Sequence, residues 1–234
     1  AVARLKPLES KRSAMSIRGV AFDLDYTLAV TTKDRDAILR DAVDAVDGPP
    51  ISREAYLTAH RDNLTTQSRT PVFRDILADR ETETDPEAMA AAYRQEISDA
   101  LEPLAGIEPF IRELKSTYRV GLLTNGSVLA QRSKIDQLGW AELFDTSLVT
   151  GELPAGKPDA AAFEALLEGL GTAPDETVYI GDTPLDDIEG ATGSGLYAVQ
   201  VLFEGGPDRD PRADAYIERD RLIEELPAVI ESLC

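Results

Sequence analysis

The chain has 234 residues, 43% hydrophobic and 29% charged, which suits a folded molecule with one large core or a core plus a smaller unit. Its formal net charge is −19, with acidic residues spread along the chain, which argues against nucleic acid and anionic membranes as partners. No apolar run approaches the roughly 18 residues of a membrane-spanning helix.

In chain order, the first 14 residues (AVARLKPLESKRSA) are polar and basic and lack the apolar stretch of a secretory leader. With Met15 opening MSIRGVAFD, residues 1–16 read as an N-terminal extension expected to be disordered. Residues 18–23 (RGVAFD) are short, apolar and β-prone, and predict a strand. The interval 31–105 then offers four helical stretches (33–47, 52–64, 71–80 and 86–103) and no convincing strand. Its breaks fall at DGPP, TQSRTP and ETETDP, with Asp85–Pro86 a good helix start. Beyond it, 107–116 reads as a helix, followed by strands at 118–124, 146–150, 177–181 and 196–202. Helices are expected at 127–138, 159–170 and 184–192. ADAYIE (213–218) reads as a short edge strand and 220–232 as a final helix. Apolar strands without alternation, separated by helices, predict an α/β fold: a doubly wound, Rossmann-like parallel sheet covered on both faces. The expected organisation is a core from 17–30 and 106–234, with an inserted all-helical cap domain over 31–105.

Ligands of parallel sheets bind beyond the carboxyl ends of the strands. There the first strand delivers Asp23, Asp25 and Thr27, and the second Thr124, Asn125, Gly126 and Ser127. A loop beyond the third delivers Lys157 in GKPD, and the fourth strand delivers Asp182, Asp186 and Asp187 in GDTPLDD. Asp23, Asp25, Asp182 and Asp187 would crowd four carboxylates together, which demands cations nearby. With no His or Cys among them, oxygen-only ligation points to Mg²⁺. Each segment alone has an ordinary reading: a turn, a surface lysine, acidic residues at a helix start. Asn125–Gly126 is also a hairpin signal, but 128–138 looks helical rather than like a returning strand.

The four segments DLDYTL, LLTNGS, GKPD and GDTPLDD, in this order, resemble the motifs of the haloacid dehalogenase-like superfamily of phosphohydrolases, over roughly residues 17–234. The resemblance implies a Mg²⁺-dependent phosphatase acting on a small phosphorylated metabolite through an aspartyl-phosphate. Asp23 would be the nucleophile and Asp25 the general acid and then base, protonated at the start because Asp23 crowds it. Thr124, the backbone N–H groups of Asn125 and Gly126, and Lys157 would hold the phosphate. Asp23, the Asp25 carbonyl, Asp182 and Asp187 would hold the metal, Asp187 directly or through water. A phosphomutase of the same superfamily is the alternative. A 2-haloacid dehalogenase is disfavoured by Asp25, and a phospho-accepting signalling domain by the long insertion. Two departures stand out: Pro154 before Lys157, which could shift that lysine, and ATGSGL, richer in small polar residues than usual. Tyr26 also stands where phosphomutases and many related phosphatases usually carry Gly. His60, the single histidine, reads as structural or solvent-facing. Of Arg53, Arg61, Arg69 and Arg74, most read as surface groups, although some could contact substrate.

Cys234 is the single cysteine, so no intrachain disulfide is possible and a reducing cytoplasmic setting fits. Six lysines against 43 acidic residues suggest adaptation to high salt. A monomer or homodimer is expected.

Overall fold

Alternation along the first strand sets the architecture. In β1 (Gly19–Phe22) all four residues are buried, with Val20 and Phe22 on one face of a sheet and Ala21 on the other. β4 (Arg119–Thr124), β5 (Thr146–Val149), β6 (Thr177–Gly181), β7 (Tyr197–Leu202) and β8 (Ala215–Glu218) join it in a six-stranded, wholly parallel sheet of order β5-β4-β1-β6-β7-β8. The computed structural model describes residues 16–233, so the extension expected over 1–16 lies, apart from Ser16, outside the described residues. On one face, Val20, Val120, Val178 and Val199 pack with Phe110 and Ile111 of α5 (Ile107–Leu114) and Leu226 and Ile230 of α9 (Leu222–Ser232). On the other, Ala21, Leu123 and Ala198 pack under Phe163 and Leu166 of α7 (Ala160–Leu170). Helices on both faces make this an α/β Rossmann-like fold, and the carboxyl ends of β1, β4 and β6 share one edge.

Between β1 and α5 the chain builds four helices: α1 (Arg35–Ala45), α2 (Arg53–Arg61), α3 (Thr70–Leu77) and α4 (Pro86–Ala100). Asp34, Ser52 and Asp85 begin α1, α2 and α4 by accepting hydrogen bonds from backbone N–H groups of the first turn. These helices have their own apolar cluster, centred on Ile38, Phe73, Met89 and Tyr93.

The sequence reading is corrected at the base of this insert. β2 (Ala29–Thr31) and β3 (Leu101–Pro103) pair antiparallel, Val30 opposite Glu102, where 101–103 was expected to continue a helix. Three-residue strands are too short to show a period, and Pro103 cannot donate a helical hydrogen bond. The helix expected at 184–192 is also irregular. Pro184–Glu189 forms a π-helical turn, with Ile188 N–H donating to Thr183 C=O five residues back, before α8 (Gly190–Gly193).

Candidate active site

A buried lysine organises the carboxyl edge of the sheet. Lys157, 2% exposed, donates from Nζ to Asp23 Oδ1 (2.7 Å), to Asp187 Oδ1 (2.6 Å) and to the Tyr179 hydroxyl (2.8 Å), which itself donates to Leu123 C=O. The Asp23 backbone is fixed by its N–H to Ile180 C=O (2.8 Å), so β6 as well as β1 aims this carboxylate. Asn125 grips the lysine loop from both sides, its Oδ1 accepting from Lys157 N–H (2.9 Å) and its Nδ2 donating to Lys157 C=O (3.0 Å). Pro154 therefore leaves Lys157 in contact with Asp23. Burial opposes the ammonium charge, but Asp187 and Asp23 hold Lys157 well above the usual lysine range.

Asp187 is 1% exposed, and its second oxygen accepts from Thr183 N–H (2.8 Å). It fits there because position 181 is glycine: a Cβ on Gly181 would lie 2.4 Å from the Asp187 carboxyl carbon. Asp23, Asp182 and Asp187 each bring one carboxylate oxygen within 4.8 Å of the others. Burial lifts the Asp23 carboxyl to about 7 and raises Asp182 well above its ordinary value, with Asp187 adding to both. Three buried carboxylates facing a single lysine form an oxygen-only donor set with excess negative charge, which suits a hard divalent cation such as Mg²⁺.

Asp25 differs from expectation. Its oxygens accept from Lys134 Nζ (2.8 and 2.5 Å), Arg35 Nη2 (2.8 Å) and Gln131 Nε2 (3.0 Å). Burial alone would raise this carboxyl, but the Lys134 ammonium and Arg35 guanidinium hold it far below the usual carboxylate range. The predicted protonation of Asp25 by crowding from Asp23 is thus overturned, because two cations lie closer to it in effect than the neighbouring acid. Gln131 and Lys134 sit three residues apart on the inward face of α6 (Val128–Gln137), where apolar residues would be usual. In the sequence they are ordinary polar residues of a helix, and only their burial in the fold singles them out.

The loop after β4 is corrected in part. Thr124 is buried against the cavity, and its hydroxyl oxygen accepts from Gln131 Nε2 (2.6 Å), which leaves the hydroxyl proton for a ligand oxygen. Gly126, at φ 136°, turns its N–H to Thr150 Oγ1 (2.9 Å) and does not line the cavity, so it is not placed to hold phosphate. The first N–H groups of α6 are also engaged: Val128 donates to Thr66 C=O (3.0 Å) and Leu129 to Gln67 C=O (2.9 Å), both from the insert.

The cavity, about 200 Å³, lies between this edge and the insert. Its insert wall comprises Arg35, Arg53, Tyr56, His60, Arg69 and Tyr93, with Tyr26 at the turn. His60 thus faces the cavity rather than solvent, and burial, reinforced by the charges of Arg69 and Lys134, lowers it to about 3. Arg61 and Arg74 are exposed and outside the cavity, as expected of surface groups. Tyr26 has φ 63°, a left-handed conformation natural to glycine, and its ring stacks on Phe203 (5.4 Å, 10°) and lies under the Arg35 guanidinium (5.4 Å). Thr27 is fully buried, and its hydroxyl has no hydrogen-bond partner among the described residues.

Residues 17–195 match the model of the haloacid dehalogenase-like hydrolases. The chain belongs to this family. This hydrolase is 28% identical over 229 residues to a glyceraldehyde 3-phosphate phosphatase of Methanopyrus kandleri, covering 92% of this chain and 98% of that one. Over 148 residues it is 36% identical to a phosphoserine phosphatase of Thermus thermophilus, covering 62% of this chain and 58% of the relative. A phosphatase of the same family from Thermococcus onnurineus shares the fold, with a TM-score of 0.66 at 24% identity over 92% of this hydrolase and 98% of that chain.

Proposed function

We propose that this hydrolase is a Mg²⁺-dependent phosphatase of small phosphorylated metabolites, working through a phosphorylated Asp23. The observation that carries this reading is the contact of Lys157 with both Asp23 and Asp187, in a cavity that Thr124 also lines. The glyceraldehyde 3-phosphate and phosphoserine phosphatases among its relatives support the same chemistry.

Asp23, Asp182 and Asp187, with the Asp25 carbonyl, are the residues that would hold Mg²⁺. A bound ion there supplies positive charge that lets the carboxylates and a phosphate share the site. Asp23 Oδ attacks phosphorus, the ester P–O bond breaks, and the leaving oxygen takes a proton. Lys157 and the Thr124 hydroxyl offset charge on the phosphoryl oxygens. In the second step Asp25, already a carboxylate, takes a proton from water, which displaces Asp23 and releases inorganic phosphate. The first step asks the same residue for a proton, so the clamp of Arg35, Lys134 and Gln131 has to loosen before Asp25 can hold one.

The four-helix insert serves as a cap over the site, excluding bulk water and choosing the substrate. Its contacts to the core support this role: the Thr66 and Gln67 carbonyls on α6, and Gln137 Nε2 to Ser98 C=O (2.7 Å). The charge of −19 supports a cytoplasm rich in salt as the working environment. Melting in low and multimolar KCl tests that point, and stability unchanged or lowered by salt would refute it.

The activity is tested by phosphate release from a panel of phosphorylated metabolites with Mg²⁺, using Asp23→Asn as control. Full activity in that variant would remove Asp23 as nucleophile. Isomerisation of a sugar phosphate without phosphate release would assign a phosphomutase instead.

A further inference from the structure

We propose that the insert carries a second anion-binding subsite, formed by Arg53, Arg69 and His60, which selects phosphate esters bearing a carboxylate or a second phosphate at the far end. The proposal rests on the phosphatase reading for the orientation of the substrate, with the ester phosphate on the core wall.

Arg53, Tyr56 and His60 recur at intervals of three and four along α2, so they share one face. The Arg53 guanidinium lies 5.4 Å from the Tyr56 ring centroid, and His60 stacks on the same ring (5.7 Å, 15°). Tyr56 packs on Tyr93 (4.9 Å), over which the Arg69 guanidinium lies at 5.3 Å. Two aromatic rings thus support both guanidinium groups from below and leave their hydrogen-bonding edges unspent. Arg69 is 7% exposed, yet among the described residues its Nε and Nη1 have no hydrogen-bond partner; the same holds for Arg53 Nη1 and His60 Nδ1.

No carboxylate among the described residues supplies their counter-charge. Among the described residues neither arginine forms an ion pair. The cavity's carboxylates are committed elsewhere: Asp23 and Asp187 to Lys157, Asp25 to Arg35 and Lys134, Asp186 to Asn125. Asp182 belongs to the oxygen cluster. A buried guanidinium without partners is unfavourable, and its flat fork of donors matches a carboxylate or phosphate. The ester phosphate already has Lys157 and Thr124 on the core wall, so an anion on the insert wall is a different group. A cavity of about 200 Å³ is smaller than the roughly 300 Å³ at the lower end for drug-sized ligands, so the two anions sit on a short molecule.

The test compares three esters of similar length: glycerol 3-phosphate, 3-phosphoglycerate and propane-1,3-diol bisphosphate. With Mg²⁺, kcat/KM is expected to be about 100-fold higher for at least one of the two doubly anionic esters than for glycerol 3-phosphate, since a site built to bond a polar group rejects the analogue lacking it. Which of the two is preferred tells carboxylate from phosphate. Arg69→Gln and Arg53→Gln are each expected to cost the preferred ester at least about tenfold more than glycerol 3-phosphate, chiefly in KM, with Arg69→Lys retaining part of the preference. Equal losses on all three esters, or a wild-type preference for glycerol 3-phosphate, would overturn the subsite. Calorimetric binding to Asp23→Asn with Mg²⁺ needs no turnover and so separates this proposal from the phosphatase reading. Tighter binding of the preferred ester that Arg69→Gln removes supports the subsite even without hydrolysis, and equal binding of all three refutes it even if all are hydrolysed. Should Arg69→Gln not fold, Arg53→Gln and Arg69→Lys carry the same comparison.

Discussion

The two walls of the cavity differ in how their charges are satisfied. On the core wall each cation meets a carboxylate: Lys157 between Asp23 and Asp187, Lys134 on Asp25. On the insert wall Arg53, Arg69 and His60 hold donors or acceptors with no partner among the described residues. The core wall has its cations paired and leaves only the excess negative charge of Asp23, Asp182 and Asp187 for a divalent ion, so it is preorganised, as chemistry on a fixed group such as a phosphate monoester requires. The insert wall is completed by a ligand, as recognition of a variable group requires. Arg35 joins the two, reaching from the start of α1 to Asp25.

The comparison can be broken most decisively at Asp23. Asp23→Asn should lower phosphate release at least about 10³-fold while the fold persists, because the substitution removes the proposed nucleophile and keeps its shape. Lys157→Met should strip the core wall of its shared cation. Leaving Asp23 and Asp187 buried without it should cost about 3 kcal/mol, read as a melting temperature lower by roughly 6–12 °C in calorimetry. An unchanged melting temperature would mean that the ion triad is dispensable for folding.

Metal and pH probe the same wall more gently. Asp23 has a folded-state pKa of about 7 against 3.8 unfolded, so between those values the folded protein binds the extra proton. This site should therefore lose stability in the metal-free protein as pH rises from about 4 to about 7, while His60, lowered to about 3, contributes the opposite slope up to about 6.5. The Asp23 part is read as the difference in melting temperature between wild type and Asp23→Asn, which should shift by some 5 °C against wild type over this range and flatten with Mg²⁺. A difference that moves in favour of wild type as pH rises would contradict the burial of the acidic cluster. Lys134→Met should let the Asp25 carboxyl move back toward its ordinary value. The acid limb of the kcat–pH profile should then rise by about one unit, and a stationary limb would detach Asp25 from the base step. The smallest effect is expected at Tyr26. Tyr26→Gly exchanges left-handed strain against the loss of stacking on Phe203, each worth about 1 kcal/mol, so chemical denaturation should show a near-null change.

The residues of the core wall were legible because their chemistry is local to four short segments, each ending a strand that the apolar runs reveal. Lys157, Asp182 and Asp187 could be placed at one edge from the ends of the predicted parallel strands and the loops that follow them. The clamp on Asp25 was not, since Arg35, Gln131 and Lys134 come from two helices whose packing angle no local pattern encodes. Crowding by Asp23 was legible in the sequence, whereas the two cations that outweigh it were not. The insert wall was harder still. Arg53, His60 and Arg69 look like ordinary polar residues until Tyr56 and Tyr93 bring them together, and Arg61 and Arg74, of the same type and nearby, face solvent. The β2–β3 ribbon escaped notice because three residues carry no period, and Gly126 was misplaced because its N–H is taken by the hydroxyl of Thr150, a side chain 24 residues further along the sequence.

That ribbon joins the insert to the core beside the chemistry. Asp25 bridges to Ala29, where β2 starts, and β2 leads within a few residues to Arg35. Lys134 stands on the core and Arg35 on the insert, so Asp25 is held from two bodies at once. Tilting the insert about its ribbon would take one cation away and leave the other. The position of a helical lid would then be written into the proton affinity of a single carboxylate, a coupling of lever to acid that needs no relay of intervening residues.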